Sequence, residues 1–180
     1  ALDAPQYHKP LFLTDAVINI APGLAQKKDI VQNAIDFFRC LMNKTPKVAI
    51  LSATESVDEK IQGTLDAAAL CKMADRGQIT GGILDGPLAM DNAISAEAAK
   101  TKDIRSPVAG DADILVVPDL ESGNILYKQM RYLSGIDAAG VALGARVPVI
   151  LTSRASGVDT RKASTALALT LCRRRHAAHD

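Results

Sequence analysis

Short apolar runs alternate with stretches of helical periodicity along most of the chain. Leu11-Phe12-Leu13-Thr14 and Val17-Ile18-Asn19-Ile20 have the length and composition of strands, and Pro22-Gly23 ends that unit. Between Leu24 and Met42, Ile30, Ala34, Phe37 and Leu41 recur at helical spacing beside Val31, Ile35 and Phe38. That predicts a helix with a wide buried face, stopped before Pro46. Val48-Ala49-Ile50-Leu51 reads as a strand, and Ser56-Val57-Asp58-Glu59 fits a capping box opening a helix to about Ala74, closed by Gly77. The alternation continues with a strand at 82–85, a helix from about Asp91 to Lys100, a strand at 114–117 and a helix from about Gly123 to Leu133. Strands at 139–143 and 147–151 and a helix from about Val158 to Arg174 complete the pattern, with residues 1–10 as an N-terminal arm.

Strands apolar at every position and separated by helices predict an α/β fold, a mostly parallel sheet with flanking helices. In such sheets ligands collect at the carboxyl ends of the strands. The segments there are polar and glycine-rich: Asp85-Gly86-Pro87, Pro118-Asp119-Leu120-Glu121-Ser122-Gly123-Asn124 and Thr152-Ser153-Arg154.

At 180 residues the chain is long enough to bury an aliphatic core without a disulfide or structural metal. A formal net charge of +1 gives no uniform field for nucleic acid, and only Arg173-Arg174-Arg175 is locally basic, where a solvated helix end is the ordinary reading. Nucleic acid and membrane are not expected partners, since no apolar run approaches the ~20 residues of a membrane span. Cys40, Cys71 and Cys172 are odd in number and far apart, and read as buried thiols of a reducing cytoplasm. His8, His176 and His179 lie near the two ends, outside any nucleophilic triad pattern.

Thr152-Ser153-Arg154-Ala155-Ser156-Gly157-Val158-Asp159 joins a strand to a helix whose inner face is expected to carry Ala163, Ala166, Leu167, Thr170 and Leu171. Unpaired amides at a helix start, the guanidinium fork of Arg154 and the Ser153 hydroxyl suit an anion. The plainer alternative is a capping box formed by Ser156 and Asp159. Gly123 and Asn124, at a second helix start, offer amides and a side-chain amide to a phosphate or polar group, or simply cap the helix. Asp111, Asp113 and Asp119 flank one strand but make a poor oxygen cage, so no metal site is expected. Neither GxGxxG before a helix nor GxxxxGK[ST] is present.

Leu13-Thr14-Asp15 with Asn19-Ile20-Ala21-Pro22, Leu84-Asp85-Gly86-Pro87-Leu88-Ala89-Met90-Asp91, Ser106-Pro107-Val108-Ala109-Gly110-Asp111-Ala112-Asp113, Val117-Pro118-Asp119, Gly123-Asn124 and Leu151-Thr152-Ser153-Arg154 together resemble the phosphate acetyltransferase/phosphate butyryltransferase family. The resemblance runs over nearly the whole chain and is to the second part of the family's chains, so the sequence looks like a C-terminal fragment. It implies an isocitrate/isopropylmalate-dehydrogenase-like fold of two α/β domains. Residues 1–146 would form the second domain, and 147–180 a return strand and helix completing the first.

By the same resemblance the reaction is acyl-CoA plus phosphate to acyl phosphate plus CoA, with coenzyme A as a substrate, no cofactor or metal, and a cytoplasmic homodimer. Arg154 would hold phosphate and Ser153 would steady charge on the acyl carbonyl. Asp159, the nearest match to the family's base, would take the thiol proton, while Gly123 and Asn124 would bind substrate. Two other expectations remain: a CoA- or partner-binding domain inactive alone, and a metal-dependent dehydrogenase of the same fold type.

Overall fold

The computed structural model describes residues 1–176, with side chains as far as Arg174. Its elements run β1 (Leu2–Asp3), β2 (Phe12–Thr14), α1 (Leu24–Met42), β3 (Lys47–Leu51), α2 (Gln62–Asp75), β4 (Ile83–Leu88), α3 (Met90–Ile94), α4 (Ala96–Thr101), β5 (Ile114–Val116), α5 (Leu120–Tyr132), β6 (Asp137–Ala138) and α6 (Val158–His176). Four strands form one parallel sheet in the order β2-β5-β3-β4, and β1 pairs with β6 in a separate antiparallel ribbon.

The continuous apolar runs follow from burial on both faces. Val48, Ile50, Ile114 and Val116 pack with Val31, Ile35 and Phe38 of α1, Leu70 of α2 and Leu171 of α6. Their alternating neighbours Ala49, Leu51, Leu115 and Val117 pack on the other face with Ala93 of α3 and Met130 of α5. β2 therefore exits to α1 on one face while its neighbour β5 exits to α5 on the other.

Helix ends are fixed locally. The Gln26 side chain accepts from the Gly23 N–H at 3.1 Å at the start of α1, and Asn43, left-handed at φ 53°, donates its N–H to Arg39 O at its end. Gly77 closes α2 as expected: at φ 70° it donates to Ala74 O, and Gln78 donates to Met73 O.

Several sequence expectations are corrected. Residues 17–20 form no strand, because the Asp15 carboxylate captures the amides of Val17, Ile18 and Asn19. Residues 56–59 form no capping box: Ser56 N–H bonds Thr54 Oγ1, Asp58 N–H bonds Thr64 Oγ1, and α2 starts only at Gln62. The helix expected over 91–100 is two short ones divided at Ser95, whose hydroxyl accepts from Ala98 N–H and starts the second. The strands expected at 139–143 and 147–151 reduce to one antiparallel bridge, Ala142 to Val149, with β6 falling just before the first, and Val147, Ile150 and Leu151 are left exposed. The N-terminal arm instead contributes β1, whose Leu2 exchanges backbone bonds with Leu11.

On α6 the buried face is Ser164, Ala168 and Leu171, with Leu167 partly buried, whereas Ala163, Ala166 and Thr170 point outward. The arginine run is not simply solvated, since Arg174 Nη1 donates to Cys40 O in the last turn of α1 at 2.6 Å. His179 lies outside the described residues. The three thiols are only half-buried, and burial first, then Asp85 and Asp75, pushes Cys71 up to about 12.

One ion pair is enclosed between α1 and α2. Lys27 Nζ lies 2.6 Å from Asp66 Oδ2, and the two residues are 6% and 8% exposed. The second carboxylate oxygen accepts from Gln62 Nε2 at 2.8 Å, so both charges are desolvated and partnered. Removing one partner strands the other. Asp66→Ala is expected to cost about 3–5 kcal/mol in urea unfolding, with most of it recovered in Lys27→Met/Asp66→Leu. A loss under about 1 kcal/mol would place the pair among ordinary surface bridges.

Candidate active site

A cavity of about 580 Å³ lies along β2, the edge strand of the parallel sheet. Four pieces of chain surround it: the end of β2 with residues 15–19, one face of α1, the start of α5, and the strap from Ala138 to Leu143 with the segment leading into α6. This is the size range of small-ligand pockets. Its lining mixes two kinds of surface. Phe12, Ile30, Phe37, Ile114, Val141 and Leu143 supply apolar surface, while Thr14, Asn19, Asn33, Asn124, Ser153 and Ser156 supply polar groups.

The turn after β2 is built on one carboxylate. Asp15 Oδ1 accepts from the N–H groups of Val17 at 3.1 Å and Ile18 at 3.0 Å; Oδ2 accepts from Asn19 N–H at 2.9 Å and Asn19 Nδ2 at 2.7 Å. Burial opposes the charge of Asp15, but these donors outweigh it and hold the carboxyl below the usual carboxylate range. The turn then rests on α5: Ile20 O accepts from Leu120 N–H at 3.0 Å and Ala16 O accepts from Asn124 Nδ2 at 3.2 Å.

Helix α5 begins three residues earlier than the sequence suggests, capped by Asp119, whose Oδ1 takes the Ser122 hydroxyl at 2.6 Å and its N–H at 2.8 Å. Those bonds, the hydroxyl first, hold the Asp119 carboxyl low, with Lys27 adding to the effect. Gly123 consequently offers no free amide, because its N–H bonds Asp119 O. Its need for glycine is close packing: a Cβ there would lie 2.6 Å from Val117 Cγ2 and 2.9 Å from Ala16 Cα. Asn124 lines the cavity with its Nδ2 committed to Ala16 O.

On the opposite wall, Ser153 O accepts from Ser156 N–H at 2.9 Å and Ser153 Oγ from Ala155 N–H at 3.3 Å, which forms the turn before α6. Thr152, Ser156, Thr160 and Ser164 line the cavity at four-residue intervals. Ser164, fully buried, accepts from Gly140 N–H at 3.1 Å and donates to Thr160 O at 2.8 Å, tying the strap to α6.

Among the sequence-predicted residues, Ser153 and Asn124 are brought to one cavity. Arg154, on the turn before α6, and Asp159, in the first turn of α6, are exposed and lie outside its lining. Asp111 and Asp113 are at the opposite end of β5, paired with lysines: Lys9 Nζ is 2.8 Å from each, and Lys47 Nζ is 2.7 Å from Asp111. Those lysines, Lys47 first, hold Asp111 well below the usual range. His8 joins the same cluster, with Nε2 2.9 Å from Asp111 Oδ1. Sequence reasoning missed Asp15, Asn19 and the polar stripe of α1, Gln26, Asp29 and Asn33, all on the cavity wall. Their helical spacing on a helix read as purely structural was the available signal.

The family described as phosphate acetyl/butaryl transferase matches residues 4–169. A phosphate acetyltransferase of Rhizobium meliloti is 60% identical over 177 residues, 98% of this chain and 56% of its own length. A probable phosphate butyryltransferase of Bacillus subtilis (strain 168) is 47% identical over 93% of this chain and 56% of its own. Among solved structures, a branched-chain phosphotransacylase from Enterococcus faecalis V583 superposes with a TM-score of 0.87 at 35% identity, over 94% of this chain and 60% of that one. The chain spans about half the length of the curated relatives it matches.

The depressed pKa of Asp15 sets a sign. Stabilisation of the turn is complete above the ordinary carboxylate value of about 4 and is lost as pH falls through the lower folded value. The amide proton shifts of Val17, Ile18 and Asn19 should stay constant from pH 7 to about 4 and move only below that. Titration of these amides near pH 5, about one unit above the free value, would contradict the arrangement.

Proposed function

The chain belongs to the phosphate acetyl/butyryl transferase family, and from that premise we propose that the full-length protein exchanges CoA and phosphate on a short acyl group, acetyl or butyryl. The observation that carries the reading onto this structure is Ser153 in the wall of a cavity lined by both polar and apolar side chains. Only part of the site belongs to these residues. We infer that residues 1–146 are the second domain of an isocitrate/isopropylmalate-dehydrogenase-like fold, with 147–180 returning to the first. The exposed apolar side chains of Val147, Ile150, Leu151 and Val158 support this, since a return strand and helix would bury them in the first domain. A cytoplasmic homodimer is part of the same proposal.

In the direction of acyl-CoA synthesis, the Asp159 carboxylate takes the proton of the CoA thiol. A thiol of ordinary pKa near 8.5 is mostly protonated at neutral pH, which makes a positioned base valuable. The thiolate attacks the carbonyl carbon of acyl phosphate, and charge gathers on the carbonyl oxygen, to which the Ser153 hydroxyl donates. The tetrahedral adduct collapses by breaking the carbon–oxygen bond to phosphate. The carbon–sulfur bond remains, and phosphate departs against the guanidinium of Arg154. The reverse direction uses the same groups with phosphate as nucleophile and Asp159 returning the proton to the thiolate. Arg154, exposed on the turn before α6, and Asp159, exposed in the first turn of α6, are available to a cleft closed by the rest of the chain.

Two substitutions in the full-length protein test these roles. Arg154→Ala should weaken use of phosphate by about 2–4 kcal/mol with an unchanged melting temperature, since a charge-assisted bidentate contact is lost and no core contact with it. Asp159→Asn should lower turnover by about 100-fold with little effect on stability. CoA release with phosphate varied, read beside a melting curve, gives both. Normal phosphate kinetics in Arg154→Ala would make Arg154 a surface charge, and near-normal turnover in Asp159→Asn would remove Asp159 from proton transfer.

A further inference from the structure

The motif Leu13-Thr14-Asp15 with Asn19 has no part in the chemistry above, yet its residues line the cavity. We propose that residues 15–19 form a preorganised lip for the thioester substrate. Val17 and Ile18 pack against its acyl-pantetheine arm, and Asp15 acts as the positioning residue that holds them there. The proposal rests on the acyl-transfer reading and names the part of that site which selects acyl-CoA over phosphate.

Three observations carry it. Val17 and Ile18 are 51% and 53% exposed and also belong to the cavity wall, so they stand at its mouth with one side open to a ligand. Their exposure is imposed by hydrogen bonding, because the Asp15 carboxylate binds the amides of residues 17, 18 and 19 and the Asn19 side chain, which fixes the turn. Both sides of the turn are braced on α5 through Ala16 O and Ile20 O, so the two side chains cannot fold inward without breaking a satisfied set of polar contacts. Branched aliphatic side chains held toward an open cavity by a rigid polar frame suit a ligand with apolar surface at that point and polar groups beyond it. An acyl thioester on its pantetheine arm has that pattern, with aliphatic carbons interleaved with amides. Inorganic phosphate, small and fully charged, gains nothing from such a wall.

The test uses the full-length protein and the exposed residue Ile18. Ile18→Ser should raise KM for acetyl-CoA and butyryl-CoA by ~5- to 50-fold, the scale of losing an aliphatic contact in a binding site. The phosphate KM, kcat and the melting temperature should stay as in the parent. Asp15→Asn, which sets an amide nitrogen against N–H donors, should move the acyl-CoA KM in the same direction while phosphate KM holds. Calorimetric titration of CoA onto the parent and Ile18→Ser separates this proposal from the one it rests on. Equal affinity for CoA together with equal acyl-CoA KM would overturn the lip even if turnover confirms the acyl transfer. A weaker CoA affinity in the variant supports the lip, and absence of phosphate-dependent CoA release in the parent would overturn the acyl-transfer reading instead. Conversion of a dimer to a monomer by Ile18→Ser in sedimentation, with CoA affinity unchanged, would assign the loop to contact between copies and overturn the proposal.

Discussion

The carboxylate of Asp15 decides where the chain goes after the edge strand, and the cleft is arranged around that decision. Left to its composition, Val17-Ile18-Asn19-Ile20 would extend β2 or bury its aliphatic side chains. Four hydrogen-bond donors converging on one carboxylate bend it into a turn instead. The turn can then approach α5 closely, which requires the missing side chain of Gly123 opposite Ala16. The polar knot closes one side of the cavity along β2. The other side is closed by the strap, which Ser164 fastens to α6 through Gly140. Two small polar contacts, on opposite walls, therefore fix the width of a cavity whose body is aliphatic.

Much of the sheet was legible because its physical cause is local. β3 and β5 are buried on both faces and so are apolar at every position, and α1 carries a stripe wide enough to be read unaided. The misreadings at Val17 to Ile20 and Ser56 to Glu59 share one cause, a side chain bonding to nearby backbone and overriding the local pattern. Val17 to Ile20 have strand composition but are captured by Asp15, and Ser56 to Glu59 have capping-box spacing but are captured by Thr54 and Thr64. Residues 147–151 are apolar enough for a buried strand, yet Val147, Ile150 and Leu151 remain exposed and unsheeted. The face of α6 was misassigned because the helix is apolar on more than one side, so periodicity alone could not choose between Ala163 and Ser164.

The placement of the candidate residues was less legible than the sheet. Ser153 and Asn124 come to one cavity from segments far apart in sequence, a convergence that no local spacing encodes. Gly123 was singled out as a donor of free amides, whereas its amide is spent inside α5 and its value lies in close packing. Asp15 and Asn19 carried resemblance without a stated role, because the significance of a carboxylate that binds its own turn appears only once the turn faces a cavity. Arg154, on an exposed turn, and Asp159, exposed in the first turn of α6, both lie beyond the cavity lining.

The central claim is that the cavity between α1, residues 15–19 and the strap receives the thioester. Hydrogen–deuterium exchange of the full-length protein with and without CoA addresses it directly. CoA should slow exchange in peptides covering residues 15–19, 138–143 and 152–160, the segments that wall the cavity. Protection confined to other parts of the chain, such as the carboxyl end of β4 and the helices that follow it, with these three segments unchanged, would contradict the account.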